Sequence, residues 1–250
     1  MLNKVPEVTL AFWFIKIMST TVGETGADYL AVHVGLGTAA TGGIMAALLI
    51  AMLLVQLRAG RYVPWIYWVT VVLVSVVGTQ ITDALTDGLV ISLYLSTSLF
   101  SVLLAAIFAI WYAVEGTLSI HTIVTRRREL FYWAAILFTF ALGTAAGDLA
   151  TEALSLGFNI GVLVFSLLIA LVTGAYYLGG NAVLTFWIAY ILTRPLGASL
   201  GDLLSQPRDY GGFGLGTILT SVAFLIVIAG LVTFLSFTSK PTEERSEASQ

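Results

Sequence analysis

Five carboxylates, Glu24, Asp28, Asp83, Asp148 and Asp202, stand in segments that are otherwise apolar. An ionisable side chain in such a setting is costly and marks an ion or substrate path. Carboxylate oxygens take hard cations and borderline ones such as manganese. Two bases share the setting, Lys16 and Arg194. Lys16, Thr20, Glu24 and Asp28 are spaced four apart, which puts them on one slowly drifting face of a helix. That stripe predicts a pathway of Lys16, Thr20, Glu24, Asp28, Asp83, Asp148, Arg194 and Asp202. Its metal-ligating members are Glu24, Asp28, Asp83, Asp148 and Asp202.

Four of these acids belong to a recurring frame. An aromatic-Trp pair is followed by Gly ten residues after the Trp, and by Asp five residues later. The copies are Phe12-Trp13…Gly23…Asp28, Tyr67-Trp68…Gly78…Asp83, Tyr132-Trp133…Gly143…Asp148 and Phe186-Trp187…Gly197…Asp202. Coincidence at four of six Trp is negligible, so the chain is an internal repeat.

The elements that carry the repeat follow from composition. The 250 residues are 58% hydrophobic and 10% charged, with a mean hydropathy of +0.97. A soluble domain carries about 25% charge, so a polytopic membrane protein is expected. Eight stretches reach the roughly 20 apolar residues that a span needs. They are 7–30, 36–57, 62–86, 89–114, 130–153, 157–178, 181–204 and 213–237. The reading is an all-α transmembrane bundle of eight helices, built from four parallel two-helix repeats. Residues 1–120 form the first half and 130–238 the second. A basic linker, 121–129, joins them, and a polar tail, 239–250, is expected to be disordered. The first segment lacks a cleavage signature and reads as a retained helix. With no Cys, thiolate metal sites are excluded.

Lys4, Arg58, Arg61, Arg126, Arg127, Arg128, Lys240 and Arg245 fall on the side of the N-terminus, and only Arg208 on the other. The positive-inside rule places both termini in the cytoplasm of a bacterial inner membrane. Each motif Asp then lies about 22 Å beyond its Trp, near the outer face. Asp87, Glu152 and Asp209 add to an acidic mouth there, which attracts cations. Two readings of the motif Asp stay open: a ring on a common axis, or simple helix ends and caps. The motif Gly reads as a packing point before a ligand site. The motif Trp reads as an interfacial anchor before a substrate cage. Pro195 predicts a kink in the seventh span. Glycine runs at 35–37, 157–161 and 211–216 lack the Gly-Lys-Ser/Thr of a phosphate loop. They predict tight packing or non-helical backbone. His33, near the mouth, is a weak ligand or proton carrier.

The opening run from Lys4-Val-Pro-Glu to Gly23-Glu24-Thr25…Asp28, with Gly-Asp-Leu at 147–149 and 201–203, resembles a family of bacterial membrane-anchored proteins. These are uncharacterised multi-pass proteins that carry a tandem repeat of unknown function. The resemblance covers most of the chain. It implies a bacterial inner-membrane location and carries no substrate. The second copy departs, reading Gly78-Thr-Gln-Ile-Thr-Asp83.

The functional expectation is a secondary transporter or permease for a cation, a divalent metal first, with a proton as the counter-ion at hand. Lys16 and Arg194 would repel a cation unless acids neutralise them, so export of a small organic anion or zwitterion is the first alternative. Two Gly-Asp pairs invite comparison with intramembrane aspartyl proteases, but four symmetric Asp lack catalytic asymmetry. A non-transporting scaffold or sensor is the last alternative. The chain is therefore expected not to be an enzyme and to hold no cofactor beyond a transported metal ion. Its expected partners are the lipid bilayer and a small cation or metabolite, with no nucleic acid.

Overall fold

A computed structural model describes residues 3–33, 38–154 and 156–238. The tail at 239–250 and the glycines at 35 and 37 lie outside them. The described residues form eight helices and no strand: α1 (Leu10–His33), α2 (Thr38–Arg58), α3 (Pro64–Asp83), α4 (Leu93–Glu115), α5 (Arg126–Asp148), α6 (Gly157–Tyr177), α7 (Ala182–Ser205) and α8 (Thr217–Thr238). Each falls within a few residues of an expected span. Local chemistry sets the ends. Pro64 opens α3, where its missing N–H costs nothing. Ser92, Thr125 and Asn181 cap α4, α5 and α7 by accepting backbone N–H groups. Gly116 closes α4 at φ 68°, a left-handed turn that glycine adopts freely. Helix α7 runs on through Pro195.

Seven of the eight helices are long and apolar enough to cross a membrane, which makes the chain an integral membrane protein. On composition α1 falls short of the eight spans expected, because Lys16, Glu24 and Asp28 crowd into it. It has the length, about 36 Å for 24 residues. Two of its charges, Lys16 and Glu24, are buried inside the protein.

Helices α1, α3, α5 and α7 touch in the closed order α1–α3–α5–α7–α1. Helices α2, α4, α6 and α8 pack outside on α3, α5, α7 and α1 respectively. Each hairpin therefore embraces the next one, and α8 returns to α1. The two sets differ in burial. The spanning windows of α3, α5 and α7 are 61%, 61% and 56% buried, while those of the outer helices are 11–17% buried. In a bilayer the exposed Leu, Ile and Val of the outer set meet lipid, which is as apolar as they are.

One end is tied together by a buried ion pair. Lys4 donates to Glu129 at 2.6 Å and to the Leu57 carbonyl at 3.2 Å. Gln56 donates to Glu129 at 3.0 Å, and the Lys4 amide to the Ile123 carbonyl at 3.0 Å. The N-terminal segment, the α2–α3 corner and the linker thus share one end of the bundle.

The motif aromatics fill the interior at that end. Across the ring the rings meet as Phe12–Trp68, Tyr67–Trp133, Tyr132–Trp187 and Phe186–Trp13, with centroids 5.7, 5.5, 6.2 and 5.7 Å apart. The first aromatic of each repeat stands against the Trp of the next, and the girdle closes on itself. Trp68, Trp133 and Trp187 are buried. For these three the ring faces helices and not lipid, which corrects the interfacial-anchor reading; Trp13 stays partly open. Aromatic pairs in tilted or edge contact add about 0.5–1.5 kcal/mol each beyond the area they bury.

Candidate functional site on the bundle axis

The motif glycines lie at close crossings of the inner helices. A Cβ on Gly78 would lie 2.7 Å from the Cβ of Phe140. One on Gly23 would strike Ser75, one on Gly143 Arg194, and one on Gly197 Thr20. Each glycine therefore seats the residue three positions before the glycine of the next repeat: Ser75, Phe140, Arg194 and Thr20. The packing reading of these glycines holds at all four copies.

This register delivers Arg194 to the centre. Its side chain leaves α7 over Gly143 of α5 and reaches every other inner helix. Nη2 donates to Glu24 Oε2 of α1 at 2.9 Å, to Thr144 Oγ1 of α5 at 2.7 Å, and to Thr79 Oγ1 of α3. Nη1 donates to the Thr20 carbonyl at 3.4 Å. Glu24, Thr79 and Thr144 each directly follow their motif glycine; the fourth copy has Ala198 there. One arginine, fully buried, is thus ringed by one carboxylate and two hydroxyls from three repeats.

Lys16 lies one turn before Thr20 on α1 and is also fully buried. Its ammonium stands 4.3 Å from the ring centre of Phe140 and 4.2 Å from that of Tyr190. It donates one hydrogen bond, to Thr193 Oγ1 at 3.3 Å. Among the described residues no carboxylate is in ion-pair range of it. The cation is held by two ring faces and a hydroxyl.

The structure brings together Lys16, Thr20, Glu24 and Arg194, and of the two bases Arg194 forms an ion pair, with Glu24. It does not assemble the expected metal set of Glu24, Asp28, Asp83, Asp148 and Asp202. Among the described residues no three of His, Asp and Glu lie together as a metal ion would need. The physical reason is position along the helix. Glu24 sits at the glycine crossing and is taken by Arg194. Asp28, Asp83, Asp148 and Asp202 lie one turn further on, half-buried, and each has an interaction of its own. Asp83 and Asp148 are the last residues of α3 and α5, each running into a π-helical turn, Ala84–Gly88 and Leu149–Ala153. Asp28 lines a cavity of about 860 Å³ with Ser205, Gln206 and Gly216 at that end. The side chains of His33, Asp87 and Glu152 lie outside the described residues.

Several residues at the centre escaped the sequence reading: Thr79, Thr144, Phe140, Tyr190 and Thr193. The signal for the first two was the repeat itself, extended by one position past each glycine. The same extension, three residues past each motif Trp, aligns Lys16 with Val71, Ile136 and Tyr190. Three donors of this layer have no hydrogen-bond partner among the described residues: Arg194 Nε, the Tyr190 hydroxyl and Ser75 Oγ. Leaving such a group buried and unmade costs about 1–3 kcal/mol.

A family model described as Repeat of Unknown Function (DUF347) matches the chain four times, over residues 11–62, 66–117, 131–180 and 185–241. Each match spans one inner and one outer helix. No curated protein and no solved structure matches the chain.

Proposed function

The chain belongs to the DUF347 repeat family, and from that premise we propose that it is a secondary transporter in which four quasi-equivalent two-helix repeats form one ring. The buried Lys16, Glu24 and Arg194 then take the charged end of a small organic anion or zwitterion. One observation supports this reading: among the described residues the axis buries two basic side chains, Lys16 and Arg194, against a single carboxylate, Glu24. A buried charge without a partner is expensive, so a second anionic group is what the layer lacks. The unpaired donors of Arg194, Tyr190 and Ser75 are the hydrogen bonds that such a group would accept. A substrate carboxylate would compete with Glu24 for Arg194, and α1 and α7 would be free to part as it does so. The bias of basic residues toward the N-terminal side supports cytoplasmic termini, with the aromatic girdle toward the inner face and the motif Asp toward the outer one.

The acidic mouth favours a metal cation instead, and the two readings separate in a thermal-shift panel. Purified protein is melted against small carboxylates, amino acids and divalent metals. A carboxylate or amino acid at about 100 times its Kd stabilises by about 2.7 kcal/mol, which raises the melting temperature by roughly 5–10 °C for a chain of this size. Stabilisation by metals alone defeats the anion reading.

A further inference from the structure

The four notches between outer helices and the girdle are not filled alike. Taken from the Phe-Ser pairs at 100–101 and 165–166, α4 and α6 align without a gap. Phe108 then corresponds to Thr173, and Trp111 to Tyr176. In α4 the two rings close the notch. Phe108 meets Trp187 at 4.9 Å between centroids, and Trp111 meets it at 5.8 Å while stacking on Phe131. In α6 the first ring is a threonine. Tyr176 is half exposed where Trp111 is 1% exposed, and Trp13 is the one motif Trp left partly open. A cavity of about 620 Å³ results, bounded by α1, α6 and α7. That is the size of a single small-molecule site.

Its chemistry is graded along the helix axis. The shaft is apolar, lined by Ile17, Ile169, Val172 and Ala189 at span depth. The rim is polar and lies in the connection between α4 and α5, at Ser119 and His121. Arg128 stands beside it, donating to the Thr122 carbonyl at 3.1 Å and to Glu115 at 2.7 Å; Arg127 pairs with the same carboxylate, so the two guanidiniums leave one net positive charge there. A hydrocarbon shaft that opens between membrane helices, under a basic rim at the headgroup level, matches one ligand class. We propose that this groove is a binding site for an anionic glycerophospholipid, with an acyl chain in the shaft and the phosphate near His121 and Arg128. Thr193, which holds Lys16, lies in its wall, so the bound chain buttresses the axis from one side. The proposal does not use the transport reading, and failure of the axis to bind a carboxylate leaves it standing.

Trp13 serves as the probe. The full chain is reconstituted in phosphatidylcholine with a small fraction of bromine-labelled phosphatidylglycerol, and its fluorescence quenching is compared with that of Trp13→Phe. The difference isolates Trp13 from the exposed Trp65. Saturable quenching of Trp13 is expected at a label fraction several-fold lower with phosphatidylglycerol than with labelled phosphatidylcholine. The paired change Thr173→Phe and Tyr176→Trp, which installs the rings of α4, abolishes it. His121→Ala, at an exposed position that leaves the fold alone, removes most of the headgroup preference. Equal quenching by the two lipids overturns the proposal. So does quenching that survives the filled notch, or a preference untouched by His121→Ala.

Discussion

Replacing Glu24 by Gln lowers the apparent melting temperature of the protein by roughly 10 °C. Arg194 is fully buried and Glu24 is its only carboxylate among the described residues. Removing one partner of a buried pair strands the other at a cost of about 3–5 kcal/mol. The hydroxyls of Thr79 and Thr144 remain and hold the guanidinium in place, but they carry no charge. Arg194→Met alone strands Glu24 in the same way. The double change Glu24→Gln with Arg194→Met removes both charges and keeps the volume, so it melts near the original temperature or above it. Thermal unfolding in one detergent across the four proteins gives the coupling directly. Additive losses in the double variant would mean that the pair does not act as a unit.

Gly197→Val or Gly143→Val abolishes the folded bundle, while Gly174→Ala and Gly230→Ala leave it near neutral. The contrast follows from what a Cβ meets. At Gly197 it strikes Thr20 of α1, and at Gly143 it strikes Arg194 and Pro195 of α7. Neither neighbour is a loose chain end: Thr20 is bonded to the Ile17 carbonyl and Arg194 is held by three helices. The helices must then separate along a whole crossing. Overpacking one site costs about 1–3 kcal/mol, and a ring closed through four such crossings has no slack to absorb it. Gly174 and Gly230 lie on outer helices with nothing within 4 Å. Size-exclusion profiles of the four variants, taken with recovered yield, check this. A monodisperse Gly197→Val protein at normal yield would refute the close-packed ring.

The architecture was legible because it rests on signals that one sequence carries. Long apolar stretches give the helices, and the aromatic-Trp, Gly and Asp frame gives the repeat. The glycines read correctly as crossings, since small residues in membrane helices have few other uses. The Arg194–Glu24 pair was foreseeable from charge and depth. What escaped depended on register between helices. Thr79 and Thr144 are ordinary residues until the glycine crossings bring them against Arg194. The motif Trp looked like interfacial anchors because their depth was right, yet depth does not say whether a ring faces lipid or a neighbouring helix. The metal set misled for a similar reason. Four acids share the frame and Glu24 stands beside it, but Glu24 sits at the crossing and the four Asp one turn further on, Asp83 and Asp148 at the ends of their helices. The groove beside α6 was invisible until Thr173 was seen where its counterpart α4 places Phe108.

The central claim is that the charged layer on the axis moves an anionic group. Current on a solid-supported membrane tests it most directly, because it reads the sign of the charge that enters. Proteoliposomes are pulsed in turn with small carboxylates, amino acids and divalent metals at constant ionic strength. The account predicts that a small carboxylate with net negative charge evokes a saturable current, and that this current vanishes in the double variant Glu24→Gln with Arg194→Met, which keeps its fold. A current evoked by divalent metals alone, undiminished in that variant, would contradict it.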